Sequence, residues 1–369
     1  MNIPFFDYKK YCKAIDYCSL IEEVLDTGYL IGGPFIEEVE NKIQSITGIK
    51  HCIAVANATD AMEIIFDFLN LPRGSKVLVP THTMLATASA AKTAGLQPFP
   101  VNVCEESLMV EIEQLKDLDL TNVSACMITQ LNGVVANMEP ILDFCNSRKI
   151  SLIEDSAQAI GSFNNNKHAG SWGVGGCISF YPAKIIGGLG DGGAIITNND
   201  NLYKFAKSVR DHGRGIGLDA DNWGRNSRLD SINARIILER LNNLNSLIQK
   251  RRKLAFIYNQ ELKNLEEKGF IKKPPQYSTN SESESTYQNY EIQAYNRDKL
   301  KDFLKENNIG TIIQWGGYSI PHFRRLGYNI LEYQVAKDLF DKLLLLPMNH
   351  LMEESDVIDI CKCIKEFYS

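Results

Sequence analysis

Lys184 is placed where an amine could act as a nucleophile. It lies within Cys177-Ile-Ser-Phe-Tyr-Pro-Ala-Lys-Ile-Ile-Gly-Gly-Leu-Gly-Asp-Gly-Gly-Ala-Ile-Ile-Thr197. The stretch opens as a short strand, Pro182 removes a backbone donor and ends the ladder, and residues 194–197 read as strand again. Between the two, five glycines fall within residues 187–193. An ammonium among small and apolar neighbours is costly. Desolvation lowers its pKa and frees the amine to attack a carbonyl, as Schiff-base chemistry requires. Taken alone, the stretch reads first as a surface lysine on a glycine-rich hairpin. Gly188-Leu-Gly-Asp-Gly-Gly193 matches the dinucleotide pattern G-x-G-x-x-G, but that pattern needs a helix next and a strand follows. No Gly-Lys-Ser/Thr occurs, which excludes the P-loop pattern.

A lysine of this kind needs an acid and an anion cradle. Ser151-Leu-Ile-Glu-Asp155 is an apolar strand ending in carboxylates, followed by Ser156-Ala-Gln158. A carboxylate at a strand's C-terminal end lies where ligands bind in open α/β sheets. Asp155 there could keep a pyridine nitrogen protonated, as pyridoxal phosphate needs to act as an electron sink. It could equally cap the next helix. His51-Cys-Ile-Ala-Val-Ala-Asn57 reads as a strand that turns at Asn57-Ala-Thr59 into a helix starting near Asp60, whose free amides would hold a phosphate.

Five segments occur in order: Asn57-Ala-Thr-Asp-Ala61, Glu154-Asp-Ser-Ala-Gln158, Ser179-Phe-Tyr-Pro-Ala-Lys184, Gly190-Asp-Gly-Gly193 and Gly224-Arg-Asn-Ser-Arg-Leu-Asp230. Together they resemble the nucleotide-sugar aminotransferases, the DegT/DnrJ/StrS group of fold type I pyridoxal-phosphate enzymes, over nearly the whole chain from about Gly28. The resemblance implies a large domain with a mostly parallel seven-stranded sheet and a smaller α+β C-terminal domain. It implies that Lys184 binds the cofactor covalently and carries the proton, that Asp155 pairs with the ring nitrogen and that Gln158 reaches the phenolic oxygen. Ala58, Thr59 and Ser179 would hold the phosphate, and Asn226 would reach the phosphate of a neighbouring subunit, making the active unit a homodimer. The reaction implied is transfer of an amino group from glutamate to a nucleotide-linked keto sugar, through the pyridoxamine 5′-phosphate form.

This sequence departs from the family pattern at several points. Met84 stands where an aromatic residue usually stacks on the cofactor ring; a thioether contact there is worth about 0.3–1.5 kcal/mol. Tyr181 replaces a histidine of many members, and Ser-Phe-Tyr-Pro-x-Lys with Gly-Asp-Gly-Gly resembles members that aminate C3 of a dTDP-linked 6-deoxy keto sugar rather than C4. Thr311-Ile-Ile-Gln-Trp-Gly-Gly-Tyr-Ser-Ile-Pro-His-Phe323 departs most, in a region that lines the substrate entrance. Tyr181, Arg228, Tyr318 and His322 are the candidates for substrate. The alternatives are a C4 enzyme, a transaminase of a non-nucleotide ketone, a sugar dehydratase (against which Lys184 argues, since dehydratases of this fold typically carry histidine there) and a non-catalytic regulatory protein.

The elements that must position these residues follow from hydrophobic pattern. Apolar strands near 51–57, 76–80, 97–103, 123–130, 151–155, 175–180 and 194–198 alternate with several helical patterns, which predicts a mostly parallel sheet covered on both faces. A long helix is predicted over 231–251, then strands near 288–295 and 311–315 and helices near 297–307, 332–342 and 353–367. The polar run 277–286 reads as an exposed loop and 211–217 as a flexible one. The predicted domains are 1–245 and 246–369. The 369 residues, 44% hydrophobic with net charge −6, suffice for two cores and make a nucleic-acid partner unexpected. Nine cysteines without framework or metal spacing fit a reducing compartment and no metal site. With no signal-peptide pattern and no apolar run of about 20 residues, a soluble cytoplasmic protein is expected.

Overall fold

The computed structural model describes residues 2–215, 219–275 and 284–369. Most of the polar run at 277–286 and the end of the 211–217 loop lie outside the described residues. The seven strands expected from the apolar runs form one sheet. They are β1 (His51–Val55), β2 (Lys76–Pro80), β3 (Gln97–Val101), β4 (Val123–Thr129), β5 (Ser151–Asp155), β6 (Gly176–Ser179) and β7 (Gly193–Thr197), in the order β1-β7-β6-β5-β4-β2-β3. The β2–β6 pairings are parallel, while β7 is antiparallel to both its neighbours. Apart from the edge strand β3, the strands are almost wholly buried because helices cover both faces, which is why they read as continuous apolar runs rather than alternating ones.

Register brings the chemistry to one end of the sheet. Thr129 pairs with Asp155 and Asp155 with Cys177, while Ser179 and Val55 both pair with Gly193. Residues leaving β1, β4, β5 and β6 therefore emerge together, beyond the carboxyl ends of the parallel strands.

The helical pattern of 231–251 is not continuous. One helix, Ser231–Asn242, stops and a second, Leu244–Glu261, begins. At the break the Asn243 side chain donates to the Glu239 carbonyl at 2.9 Å, the kind of side-chain competition with the backbone that ends helices.

A second, antiparallel sheet joins β8 (Ile271–Lys272), β9 (Tyr290–Ala294) and β10 (Leu343–Leu346). The strand expected at 311–315 is absent. Ile312 makes a single bridge to Leu345, and the chain then turns through Trp315, Gly316 and Gly317 at φ 49°, 68° and 84°. Strand β10 went unread because four leucines buried on both sides carry no period. Among the described residues no helix is long and apolar enough to cross a membrane.

Candidate active site

A cavity of about 410 Å³ opens at the carboxyl end of the large sheet. Its lining includes Lys184, Asp155, Gln158, Ser179, Ala58 and Thr59, so residues up to 126 positions apart (58 to 184) share one space. Met84 and Tyr181 line it as well.

The lysine is held by its backbone. Lys184 N–H donates to the Tyr181 carbonyl at 2.8 Å, and its own carbonyl accepts from Gly187 at 3.0 Å. The Gln288 carboxamide clamps the two flanking peptides, donating to the Ala183 carbonyl at 3.1 Å and accepting from Ile185 N–H at 3.1 Å. Burial pushes the half-buried amine from 10.5 down to about 8, against the opposing attraction of Asp155. At pH 7 roughly one such amine in ten is neutral, against about one in three thousand at an ordinary lysine pKa. The bland alternative, a solvated hairpin lysine, does not describe this residue.

The two carboxylates at the end of β5 do different work because successive strand residues face opposite ways. Glu154 points away from the cavity and accepts from Gln130 Nε2 (2.6 Å), Gly170 N–H (2.8 Å) and Trp172 N–H (2.6 Å), holding a turn. Asp155, 5% exposed, faces the cavity. One of its oxygens accepts from the Thr87 hydroxyl at 2.7 Å; the other accepts from Ala157 N–H at 3.2 Å and meets the Cys177 thiol at 3.4 Å. Thr83 bridges Thr87 (2.7 Å) and Thr129 (2.8 Å), so a chain of buried hydroxyls stands behind the carboxylate. Sequence reasoning missed these threonines; the Thr83/Thr87 spacing, one helical turn, was the available signal.

The anion cradle is a helix start. Asn57 caps the helix Ala58–Leu69, its side chain accepting from Asp60 N–H at 2.8 Å, so the helix begins two residues earlier than expected. The amides of Ala58 and Thr59 have no intrahelical acceptor, and both residues line the cavity. Gly193 packs under this turn: a Cβ there would lie 2.4 Å from the Asn57 carbonyl carbon and 2.6 Å from Ala58 N, so only glycine fits. Ser179 lines the cavity while Phe180 is fully buried in the core, the opposite faces that alternation requires. Nitrogen-directed acid, amine and anion cradle are thus all present for pyridoxal phosphate, and the residues fit the group.

The substrate side differs from expectation. Met84, 54% exposed, caps the helix Leu85–Thr93 and lines the cavity in place of an aromatic ring. Tyr318 and His322 do not line the cavity. Tyr318 is 53% exposed and packs against His322, whose Nδ1 is held by the Ser319 N–H (3.0 Å) and hydroxyl (2.6 Å). Gln314 and Trp315, just upstream, take their place. Arg228 and Asn226 also lie outside this chain's cavity. Arg228 is ion-paired with Asp211 at 2.8 Å and donates to the Asn226 side chain at 3.1 Å, on the exposed loop before the helix Ser231–Asn242.

Residues 14–365 match the DegT/DnrJ/EryC1/StrS aminotransferase family. The chain is 30% identical to the pleiotropic regulatory protein of Geobacillus stearothermophilus, over 100% of this chain and 99% of that one. It is 29% identical to the dTDP-3-amino-3,6-dideoxy-alpha-D-galactopyranose transaminase of Aneurinibacillus thermoaerophilus, covering 99% of each. Among solved structures it is similar to a DegT DnrJ EryC1 StrS aminotransferase from Brucella abortus, with TM-score 0.90, 30% identity and full coverage of both chains. The chain belongs to the DegT/DnrJ/EryC1/StrS aminotransferase family, and it is a pyridoxal-phosphate-dependent aminotransferase.

Proposed function

On the premise of that membership, we propose that this enzyme transfers an amino group from glutamate to a nucleotide-linked keto sugar, with a dTDP-linked 3-keto-6-deoxyhexose as the first candidate. The observation that carries this reading is the convergence of Lys184, Asp155 and the 57–59 turn on one cavity. Pyridoxal phosphate, when bound, would supply an electron sink for the electron pair left at the amine-bearing carbon when its proton departs. The chain's own groups do the rest. Asp155, fixed by Thr87 and Ala157, would keep the pyridine nitrogen protonated. The Ala58 and Thr59 amides, the Thr59 hydroxyl and Ser179 would hold the phosphate, and Gln158 would donate to the ring oxygen. Lys184 Nζ, with its lowered pKa, would carry the proton away from the substrate's amine-bearing carbon and deliver it to the cofactor's carbon. Met84, which lines the same cavity, would be the apolar contact for the ring.

The Ser-Phe-Tyr-Pro-Ala-Lys segment and the 3-amino sugar named for the Aneurinibacillus relative favour C3 amination. The 314–317 turn, with Trp315 at the mouth, keeps a C4 or non-nucleotide ketone as the second reading. The homodimer belongs to the same proposal. Asn226 is exposed, and Tyr29 (58%), Leu30 (51%) and Ile31 (50%) stand out from the surface on a segment whose Ile31 bridges Asp230. A partner covering that face would bury these side chains and bring Asn226 to its own phosphate site. The division into domains at 245/246 is supported by the nearby break at Asn243, and a cytoplasmic setting by nine free cysteines.

A panel of keto substrates, with glutamate as donor and products read by mass spectrometry, tests the reading. Amination of a dTDP-linked 3-keto sugar supports it. Amination only of ketones without a nucleotide would overturn it.

A further inference from the structure

A partly buried polar network surrounds Gln158, and two of its members, Asn289 and Gln314, line the cavity beside it. The Gln158 carbonyl oxygen accepts from Asn132 N–H at 2.9 Å and from Asn289 Nδ2 at 3.4 Å. Both donors converge on Oε1, so the amide orientation is set and Nε2 is left for the cavity that Gln158 lines. Asn289 is oriented in turn by Asn132, donating to its Oδ1 at 2.8 Å, and Gln314 Nε2 stands 3.4 Å from the same oxygen. Asn132 can accept there only because its own amide nitrogen is used elsewhere, donating to Glu291 Oε2 at 2.7 Å.

Glu291 thus ends the chain and sets its polarity. It is a carboxyl group on the small sheet, 1% exposed, and the one basic side chain within ion-pair distance among the described residues is His82, whose Nε2 lies 3.5 Å from Oε2. His82 Nδ1 stands 3.3 Å from the Leu108 carbonyl, which fixes the ring. A carboxylate accepts only, so it dictates which end of the Asn132 side chain faces it and, through Asn289, the 3.4 Å bond to Gln158; the 2.9 Å bond comes from the Asn132 backbone N–H, which the same side chain anchors in place. Asn132 itself sits at φ 56°, in the left-handed region that asparagine tolerates best among non-glycine residues. Its conformation lets one residue offer a backbone donor to Gln158 and a side chain to Glu291. Burying an acid that is 1% exposed is costly unless it is hydrogen-bonded, and the Asn132 amide supplies that bond.

We propose that Glu291, acting through Asn132 and Asn289, fixes the Gln158 carboxamide with its NH2 toward the cofactor's ring oxygen, which makes Asn132 and Glu291 positioning residues for pyridoxal phosphate. This rests on the cofactor assignment above and extends it across the two sheets: an acid on the small one orients a cofactor contact on the large one.

The test uses the full-length protein stripped of cofactor and titrated with pyridoxal 5′-phosphate. Affinity is read by quenching of protein fluorescence, and the pH midpoint of the visible cofactor band by absorbance. In Glu291→Leu the acceptor is lost, affinity falls about tenfold and the midpoint rises, because an anionic ring oxygen loses a donor. Glu291→Gln, which can still offer an oxygen to Asn132, restores most of both. Gln158→Ala matches the Glu291→Leu effect, and adding Glu291→Leu to it changes neither readout further. The proposal is overturned if Glu291→Leu leaves affinity and midpoint at wild-type values. It is equally overturned if its effect adds in full to that of Gln158→Ala. Thermal unfolding of the cofactor-free variants shows whether each is folded; should Glu291→Leu not fold, Asn132→Gly, which suits the left-handed backbone and removes the side chain linking Glu291 to Asn289, takes its place under the same criteria. A wild-type protein with no visible band would sink the cofactor assignment itself, a different result from either.

Discussion

The two halves of the cavity are built differently. The half that holds Lys184, Asp155, Ser179 and the 57–59 turn grows from strand ends whose pairing is fixed residue by residue. The half that carries Gln314 and Trp315 is a short turn with three successive left-handed residues, joined to the small sheet by one bridge at Ile312. A strand register cannot shift by one residue without turning every side chain to the other face. A turn can change length and sequence at little cost to the fold. The chemistry common to a family therefore belongs on the first half and its substrate choice on the second.

Substitutions in the two halves should differ in size and in kind. The largest effect is expected from Asp155→Ala, which removes the proposed partner of the ring nitrogen: kcat should fall by about 10²–10³ with the protein still folded, measured by steady-state transamination. Lys184→Met separates the same half's stability from its activity. In the cofactor-free protein the amine's folded pKa of about 8 lies below the unfolded 10.5. Below pH 8 the folded state therefore bears the full cost of the charge, and between 8 and 10.5 the unfolded chain binds more protons, so wild-type stability rises with pH. The methionine variant should be more stable at pH 7 by at most about 3 kcal/mol, with the gap closing by pH 10.5 in urea unfolding curves.

On the other half, Trp315→Ala should raise KM for the keto substrate about tenfold while changing kcat and cofactor affinity little. A fall in kcat of the size expected for Asp155→Ala would erase the distinction between the halves. Tyr318→Ala, outside the cavity, should change KM less than about threefold.

The legibility of the site follows the same division. The lysine stretch, the β5 carboxylates and the 57–59 turn could be read because each is a strand end followed by a residue type with a chemical reason to be there. The fold of the large sheet could be read because its strands are apolar runs of ordinary length. Tyr318 and His322 were misplaced because nothing local shows that Trp315 and the two glycines after it turn the chain before them. The strand β10 was hidden in four leucines without a period, and the helix break at Asn243 in a side-chain hydrogen bond no pattern encodes. Arg228 looked free for a diphosphate; its partner Asp211 lies 17 residues upstream in a loop. The threonines behind Asp155 and the amides behind Gln158 come from four or more separate segments, and only the folded chain assembles them.

The central claim is that Lys184 Nζ is the amine that joins the cofactor's aldehyde, and borohydride trapping tests it most directly. The protein is saturated with pyridoxal 5′-phosphate, reduced, digested and mapped by mass spectrometry. The predicted result is one phosphopyridoxyl group, on the peptide containing Lys184, with none after Lys184→Ala. A label spread over surface lysines, or one that persists at equal yield in Lys184→Ala, would contradict the account.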